Sequence, residues 1–419
     1  MTVYNRHSKP NTLFEWLLGS APVPQHTGTA YRSKLHILHV CETSMGGIGS
    51  YLNLFTAFLD NGIVSRVVVP DQHSVQLDTR VETIPFNRSK RGIAPLFGML
   101  RRMFGALRKP GADIVFFHST FALLGLLAMR ATFDRRPAIY CPHGWAICRY
   151  TEGSWKYHVV RHVEGLLCGL ADIVVNISAP EQRLALENGY RGRHVLLENA
   201  VPDAAPDASD DIFGDEGALH LLFVGRLDHQ KGIDILLNAL ENASQVRNDL
   251  RLHVVGSSVN EDASLLSMSH VTSSFGWVDK KEIDDFYSSA DALVVPSRWE
   301  GFGLVVAEAL RNGTPALVST SGALPGLIEP GRTGHVFEPN TESLTSLLLG
   351  LDRKDLRNMR PASRQYYLDR FTVEKFRREF LNIISEVLAE KAVGRNGKSG
   401  AYGFYPPEVN DAESGNLLR

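Results

Sequence analysis

The residues best suited to chemistry lie in two loops in the second half of the chain. Residues 225–232 (GRLDHQKG) follow an apolar run and carry two cations, Arg226 and Lys231. A guanidinium is a forked hydrogen-bond donor and an ammonium is a compact charge, and together they suit a diphosphate. We therefore expect both side chains to point toward one phosphate ligand. The alternative is two solvated surface cations.

The second loop, residues 296–303, contains Glu300, and Glu308 lies about one turn into the helix that follows. Backbone amides at the start of that helix can bind a phosphate group, and two carboxylates can accept hydrogen bonds from sugar hydroxyls. Two solvated glutamates are the simpler alternative. Paired carboxylates also occur in glycosidases, although a retaining glycosidase has no need of a phosphate clamp.

The first half of the chain contributes two weaker signals. Gly46, Gly47 and Gly49 lie between a predicted strand and a predicted helix, where glycine lets the backbone approach an anion closely. Their spacing differs from the dinucleotide-binding fingerprint, so a nicotinamide dehydrogenase is poorly supported and a tight turn remains an alternative. His143, in Pro-His-Gly-Trp after another predicted strand, is either a site residue or a satisfied strand-end histidine.

The elements that must position these residues are buried strands alternating with helices. Apolar runs occur at 35–41, 65–69, 113–117, 137–141, 172–176 and 195–197, and again at 219–224, 252–255, 271–275, 292–295, 315–319 and 335–337. This alternation predicts an α/β chain with two Rossmann-like, doubly wound domains facing each other across a cleft. Ligands bind beyond the carboxyl ends of the strands in such sheets, which is where the two loops lie.

Composition excludes several classes of protein. The chain has 419 residues, 44% of them hydrophobic, and a net charge of −2, which argues against a nucleic-acid partner. Four cysteines are too few for a disulfide scaffold. The longest apolar run, 121–129, is too short to span a bilayer. Because the chain also lacks a secretory signal pattern, we expect a cytoplasmic enzyme.

Charge is distributed unevenly along the chain. Residues 1–205 carry 22 Lys and Arg against 15 Asp and Glu, whereas the remainder carries 22 against 31. In the basic segment 88–109, the apolar residues Leu96, Leu100, Met103 and Leu107 fall on one face of a predicted helix. Such a helix either lies on an anionic membrane surface or packs its apolar face into the core.

The two loops resemble those of a known enzyme family. GRLDHQKG and PSRWEGFGLVVAEAL, with seven residues between the two glutamates, are similar to glycosyltransferase family 4. The resemblance spans about 35–389 and is strongest in the second half. These are retaining nucleotide-sugar transferases of the GT-B fold, and they include bacterial polysaccharide-biosynthesis enzymes.

The resemblance and the composition together give the expected domains. They are a flexible arm (1–33), an acceptor-binding Rossmann-like domain (34–200), a linker (201–217), a nucleotide-sugar-binding Rossmann-like domain (218–371), a crossover helix (372–391) and a disordered tail (392–419). The crossover helix is expected to pack back onto the first domain.

The resemblance also implies residue roles. Arg226 and Lys231 correspond to the clamp on the donor diphosphate, Glu300 to a contact with the transferred hexose, and Glu308 to a contact with the ribose. With His143 in the cleft, the expected catalytic residues are His143, Arg226, Lys231 and Glu300. The other donor-binding positions are Gly46, Gly47, Gly256, Val278, Gly301, Phe302, Gly303, Leu304 and Val305. One departure is Pro325-Gly326, where the family usually carries Pro-Glu.

The expected function is transfer of a hexose from a nucleotide-diphospho-sugar to a saccharide or polyprenyl-diphosphate-linked acceptor. The product would be exopolysaccharide, capsule or lipopolysaccharide. No metal or other cofactor is expected, since no strand precedes a DxD-type carboxylate cluster. The enzyme is expected in the cytoplasm, or peripherally on the cytoplasmic face of the inner membrane. The alternatives are an epimerase or phosphorylase of the same fold, and a non-catalytic membrane-associated scaffold.

Overall fold

Two separate parallel sheets organise the chain. The computed structural model describes residues 34–88, 92–108, 111–204, 208–209, 211–215, 217–257, 271–279 and 282–396. The predicted arm, most of the predicted tail, and residues 89–91 and 109 of the basic segment therefore lie outside the described residues.

The first sheet has seven strands. They are β1 (Leu35–Cys41), β2 (Ile63–Pro70), β3 (Glu82–Phe86), β4 (Ile114–His118), β5 (Ala138–Cys141), β6 (Ile173–Asn176) and β7 (His194–Leu196). Their order is β3-β2-β1-β4-β5-β6-β7, and every pairing is parallel. His118 at the end of β4 pairs with Cys41 on one side and Cys141 on the other, so the loops that follow β1, β4 and β5 leave the sheet side by side.

The second sheet has six strands. They are β8 (Leu219–Val224), β9 (Leu250–Val255), β10 (Thr272–Ser274), β11 (Ala292–Val295), β12 (Ala316–Ser319) and β13 (Gly334–Phe337), in the order β10-β9-β8-β11-β12-β13. Strands β11 and β12 are buried at every residue. Continuous apolar runs of this kind are typical of parallel sheets covered by helices on both faces. The prediction of two doubly wound α/β units is confirmed.

Helices cover both sheets. They are α1 (Gly47–Leu54), α2 (Ile93–Arg108), α3 (Ala122–Ala131), α4 (Trp155–Leu167), α5 (Ala179–Glu187), α6 (Ile233–Ser244), α7 (Ile283–Ser289), α8 (Leu304–Arg311), α9 (Thr341–Gly350), α10 (Arg353–Asn358), α11 (Arg360–Arg370) and α12 (Val373–Asn396). Helix α8 and strands β1, β8 and β11 have the predicted bounds. Helix α12 continues past residue 391, its predicted end.

The basic helix α2 directs its apolar face into the first core. Met99, Met103 and Leu107 are buried there, and Leu96 and Leu100 pack against the same cluster. Phe97 is 68% exposed. The apolar face therefore serves the core, which is the structural alternative stated for this segment.

Helix α12 returns to the first sheet. The rings of Phe376 and Phe380 contact Phe55 and Phe58, with 4.9 Å between the ring centroids of Phe55 and Phe380. On the same helix, Glu386 and Glu390 form ion pairs with Arg193. The last helix thus joins the two halves through apolar and charged contacts.

Candidate active site between the two sheets

Loops from both halves meet at one place. The Ser178 hydroxyl, which caps α5, donates a 3.0 Å hydrogen bond to the carbonyl of Gly301 in the second half. A Cβ atom added to Gly301 would lie 3.7 Å from Gly144 Cα, and one added to Gly47 would lie 3.6 Å from Leu304 Cδ1. The structure therefore brings together the glycine loop, the Pro-His-Gly-Trp loop and the loop of Glu300, as expected for residues at one interdomain site.

Lys231 and Glu300 form an ion pair at this site. Lys231 Nζ lies 2.6 Å from Glu300 Oε2, and the two side chains are 18% and 13% exposed. The Ser297 hydroxyl lies 3.5 Å from the same carboxylate oxygen. Two groups predicted for different parts of a donor are thus direct partners, and neither is a solvated surface ion.

Arg226 has different surroundings. Its guanidinium lies 3.1 Å from Asp228 Oδ2 and donates a 2.9 Å hydrogen bond to Gln230 Oε1, and 46% of its side chain is exposed. Arg226 and Lys231 therefore have separate acidic partners. The arginine is about half exposed and the lysine is largely enclosed, and the expectation that both cations bind one phosphate ligand stays a prediction.

The loops of Lys231 and Glu300 are fastened to each other. Arg298 forms a two-pronged ion pair with Asp234 at 2.8 and 2.6 Å, and its amide donates to the carbonyl of Gln230. A bidentate pair fixes direction as well as distance. The relative position of the two loops is therefore set by contacts outside the Lys231–Glu300 pair.

The backbone of Glu300 is held from the following loop. The Ala323 amide donates to the Glu300 carbonyl at 3.2 Å. Gly322 has φ of +57°, and a Cβ atom there would lie 2.1 Å from that same carbonyl oxygen. Glycine is required at this close approach. The loop that departs from the family pattern at Gly326 thus holds the backbone of Glu300 in place.

Glu308 has a partner that sequence reasoning missed. The buried Tyr287 hydroxyl donates a 2.8 Å hydrogen bond to Glu308 Oε2. Burial, followed by the nearby Glu308 charge, raises the pKa of Tyr287, so the phenol stays protonated and remains a donor. The two residues are 21 positions apart, and no local motif joins them.

Of the other predicted donor-binding residues, Phe302 to Val305 lie at the start of α8, whereas Gly256 and Val278 lie elsewhere in the second half. Gly303 caps α8, and Leu304 and Val305 begin that helix with partly buried side chains, so their amides lie at a helix start. The side chain of Phe302 is in the core, 3% exposed, which leaves only its backbone for a ligand. Gly256 has φ of +135°, and a Cβ atom there would lie 1.8 Å from the Gly225 carbonyl oxygen. Val278 is partly buried against the core.

His143 has an unusual backbone and a buried ring partner. Its φ of +53° is left-handed, which is uncommon for residues other than glycine. Its Nε2 lies 2.9 Å from His118 Nδ1, and Tyr51 packs edge-on against the ring at 4.7 Å between centroids. Burial lowers the pKa of His143 to about 3, so the imidazole is neutral near pH 7.

Two buried glutamates hold the loop of His143, and sequence reasoning missed both. Glu181 accepts from the amides of Gly144 and Ile177 at 2.5 and 2.6 Å, and Glu164 accepts from the Ala146 amide at 3.0 Å. Burial raises the pKa of each carboxyl to about 7. The Ser178-x-x-Glu181 spacing is a capping-box signal that could have identified Glu181.

The described residues include neither a cluster of metal ligands nor a membrane-spanning helix. Among them, no three His, Cys, Asp or Glu side chains are grouped where they could hold a metal ion. None of the helices in the described ranges is both long enough and apolar enough to cross a membrane.

Two doubly wound parallel sheets whose post-strand loops meet at one interdomain site are the architecture of the GT-B fold. Sucrose-phosphate synthase from Thermosynechococcus elongatus is similar, with a TM-score of 0.75 and 20% identity over 85% of this chain and 100% of its own. Anabaena HepE, solved in complex with UDP and glucose, has a TM-score of 0.70 and 17% identity over 84% of this chain and all of its own.

The sequence comparisons identify the family. Residues 46–200 match the glycosyl transferase 4-like domain, and residues 207–365 match the glycosyl transferases group 1. The chain belongs to the glycosyltransferases built from these two domains, so the predicted family and the prediction of a transferase are confirmed.

One relative extends over most of the chain. A protein in the cps region of Klebsiella pneumoniae, described as an uncharacterized 41.2 kDa protein, is 29% identical over 311 residues, which are 72% of this chain and 85% of that protein. Several further curated relatives, among them enzymes with named activities, match over 28–36% of their own length.

Proposed function

We propose that this enzyme transfers a hexose from a nucleotide-diphospho-sugar to a saccharide or polyprenyl-diphosphate-linked acceptor, with retention of anomeric configuration. The observation that carries the proposal is the Lys231–Glu300 pair, 2.6 Å apart and largely enclosed, beside the start of α8. In such a donor the diphosphate and the sugar are joined directly. A cation that can bind phosphate, next to a carboxylate that can bind sugar hydroxyls, fits that junction. HepE, a structural neighbour, was solved with UDP and glucose.

The chemistry follows from where charge develops. The bond between the anomeric carbon and the diphosphate oxygen breaks with its electron pair on the leaving group, and the acceptor oxygen bonds to the same face of that carbon. The leaving phosphate takes the acceptor proton. Arg226, Lys231 and the amides at 303–305 stabilise the growing negative charge on the diphosphate.

Carboxylates then position the sugars. Glu300 accepts from hexose hydroxyls and Glu308, whose orientation is fixed by Tyr287, accepts from the ribose. His143 contacts the sugar as a neutral imidazole. No step in this scheme requires a metal, and unchanged turnover after EDTA treatment is the expected result.

We further propose a product in cell-surface polysaccharide, with the acceptor presented at the membrane. The Klebsiella pneumoniae relative from the cps region supports this context. Because α2 buries its apolar face, contact through residues 88–109 would depend on Phe97 and the exposed arginines. Helix α4 offers a second apolar surface, since Trp155, Val159, Val163 and Leu166 are between 50% and 70% exposed.

A donor panel tests the enzymatic proposal. The full-length enzyme is incubated with UDP-, GDP- and ADP-sugars with and without a short saccharide acceptor, and release of nucleoside diphosphate is measured. We expect one nucleotide to raise the melting temperature and its sugar to be consumed faster with acceptor present. Conversion of the donor to an epimer without acceptor would favour the epimerase alternative, and no binding to any nucleotide would favour the scaffold.

Vesicle flotation tests the membrane proposal separately. Salt-sensitive flotation with phosphatidylglycerol vesicles, reduced in Trp155→Glu and in Arg101→Glu, is the expected result. A protein that stays at the bottom of the gradient at low salt would contradict membrane contact without affecting the transferase assignment.

A further inference from the structure

Three histidines form an unbroken hydrogen-bonded line that ends at the candidate active site. His143 Nε2 lies 2.9 Å from His118 Nδ1, His118 Nε2 lies 3.0 Å from His39 Nδ1, and His39 Nε2 lies 3.3 Å from the Ser65 hydroxyl. The line crosses the first sheet from the interior of β2, through β1 and the end of β4, to the loop after β5. Among the residues that the structure describes, every ring nitrogen along the line has a hydrogen-bond partner except His143 Nδ1.

The register of the sheet explains this alignment. Ser65 pairs with Ile37, two residues before His39, and Phe116, two residues before His118, pairs with His39. Residues two apart on a strand share a face. Ser65, His39 and His118 therefore lie on one face of three adjacent strands.

The environment of the line is apolar. His39 and His118 are fully buried, with Phe55 4.6 Å from the His39 ring and Phe116 4.2 Å from the His118 ring. Burial lowers the pKa of His39 to about 3, and burial with the neighbouring histidines holds the pKa of His118 well below its usual range. All three imidazoles are therefore neutral near pH 7.

Neutrality gives the line a direction. A neutral imidazole has one N–H donor and one acceptor nitrogen, so each ring that donates at one end must accept at the other. The whole line consequently has only two consistent arrangements, which differ in whether His143 Nδ1 carries a proton or a lone pair. The group at the far end decides between them.

That group is the Ser65 hydroxyl. Ser65 is 5% exposed, and among the described residues its hydroxyl has one hydrogen-bond partner, His39 Nε2. A buried hydroxyl that does not donate loses free energy. Ser65 therefore donates to His39, His39 Nδ1–H donates to His118, and His118 Nδ1–H donates to His143 Nε2.

We propose that His118 and His39, oriented by Ser65, are positioning residues that fix His143 as the Nδ1–H tautomer. His143 then presents a hydrogen-bond donor to the site, suited to a hydroxyl or phosphate oxygen of the donor substrate. It has no lone pair there, so it does not act as the base for the acceptor proton. This inference rests on the proposed function for its catalytic meaning, but not for the tautomer itself.

The direct test is 15N NMR of the substrate-free, full-length protein labelled at histidine. The His143 signals are assigned by their loss in His143→Asn. We expect the proton on Nδ1 in the wild type, and a mixture of both tautomers in Ser65→Ala, which removes only one hydroxyl. A wild-type His143 protonated at Nε2, or a tautomer that does not respond to Ser65→Ala, overturns the inference.

A matched control is present in the second half. His220 Nδ1 lies 3.0 Å from His253 Nε2, which makes a second buried histidine pair outside the site. His253→Phe should leave the His143 signals unchanged, whereas His118→Phe should alter them. Equal effects of the two variants would show that any core change perturbs His143, and would contradict a specific line.

Turnover gives the functional readout. Groups that orient a reacting or ligating imidazole are typically worth roughly tenfold to a hundredfold. We expect His118→Phe to lower kcat by that amount with little change in KM for the donor, and Ser65→Ala to lower it less. If the wild type transfers no sugar, the proposed function fails while the NMR result still decides the tautomer. If it does transfer and His118→Phe leaves kcat unchanged, the positioning role fails.

Discussion

The two halves of the chain contribute different groups to the candidate site. The second half contributes an ion pair, Lys231 and Glu300 at 2.6 Å, whereas the first half contributes three neutral histidines in a hydrogen-bonded line. The ionic side is fastened by further charges, such as Arg298 with Asp234. The histidine side is surrounded by aromatic rings and supported by two buried carboxyls. Under the proposed function, the difference matches two tasks, because a leaving diphosphate needs charge while a sugar hydroxyl needs only a directed hydrogen bond.

The largest effect should come from breaking the ion pair. Lys231→Ala removes the enclosed cation, so we expect turnover to fall by about a hundredfold or more. Because Glu300 then loses its ion-pair partner, the free energy of unfolding should also fall by about 1–3 kcal/mol. Steady-state kinetics and urea unfolding measure the two effects.

A double variant separates these effects. Lys231→Ala with Glu300→Gln should recover most of the stability while turnover stays low, since the cation is still missing. Arg332→Ala, which breaks an exposed ion pair with Glu329, is the surface control and should change neither quantity. Near-normal turnover in Lys231→Ala would show that the charge of Lys231 is not needed for the proposed reaction.

Arg226 should matter less than Lys231. Its guanidinium is half exposed and already paired with Asp228, so water screens its interaction with a phosphate. We expect Arg226→Ala to raise the KM for the donor by about tenfold, equivalent to about 1.4 kcal/mol of binding, with a smaller change in kcat. Measuring KM at low and high salt checks the assignment, because the loss should shrink as salt rises. A loss equal to that of Lys231→Ala would reverse the ranking of the two cations.

Elements with a clear local sequence pattern are predictable, and those that depend on distant partners are not. The predicted and observed bounds agree for strands β1, β8 and β11, which are almost entirely buried, and for helix α8, which begins directly after Gly303. Strand β3 buries only Phe86 and contains Pro85, and α11 buries only Ser363 and Tyr367, so neither carries a clear apolar pattern.

The same contrast holds in the candidate site. The loops were recognisable because glycines, cations and glutamates are close together in sequence, whereas Lys231 and Glu300 are 69 positions apart and their pairing depends on the fold. His39 and His118 are 79 positions apart, although each sits near the end of a predicted strand. Their shared face follows from the β1–β4 register, which no local pattern specifies.

The histidine side of the site also contains buried carboxyls, and their pH dependence refines the comparison. Burial raises the pKa of Glu164 to about 7 from an ordinary 4.5. The folded state therefore binds more protons than the unfolded state between these values, and stability falls as pH rises through that range. Glu164→Gln removes this titration, so from pH 5 to pH 8 the wild type should lose about 1–3 kcal/mol relative to the variant.

Urea unfolding at the two pH values measures that difference. Glutamine can accept from the Ala146 amide with its oxygen and donate to Thr120 with its nitrogen, so the loop contacts at 3.0 and 2.7 Å have replacements. A wild type that gains stability relative to Glu164→Gln as pH rises would mean that Glu164 is held as a carboxylate, and the histidine side of the site would then carry charge after all.

The smallest effect should come from Tyr287, which acts on the proposed donor site only through Glu308. Tyr287→Phe removes the 2.8 Å hydrogen bond to Glu308 and leaves the ring in place. A hydrogen bond to a charged group is worth about 1.5 kcal/mol, so we expect donor affinity to fall roughly fivefold to tenfold while kcat is nearly unchanged. Tyr367→Phe, which removes a buried hydroxyl bond to the Val201 carbonyl, is the matched control and should lower stability alone. If both variants weaken nucleotide binding equally, Tyr287 does not orient Glu308 for the nucleotide. If only Tyr287→Phe weakens it, the result supports a ribose contact at Glu308.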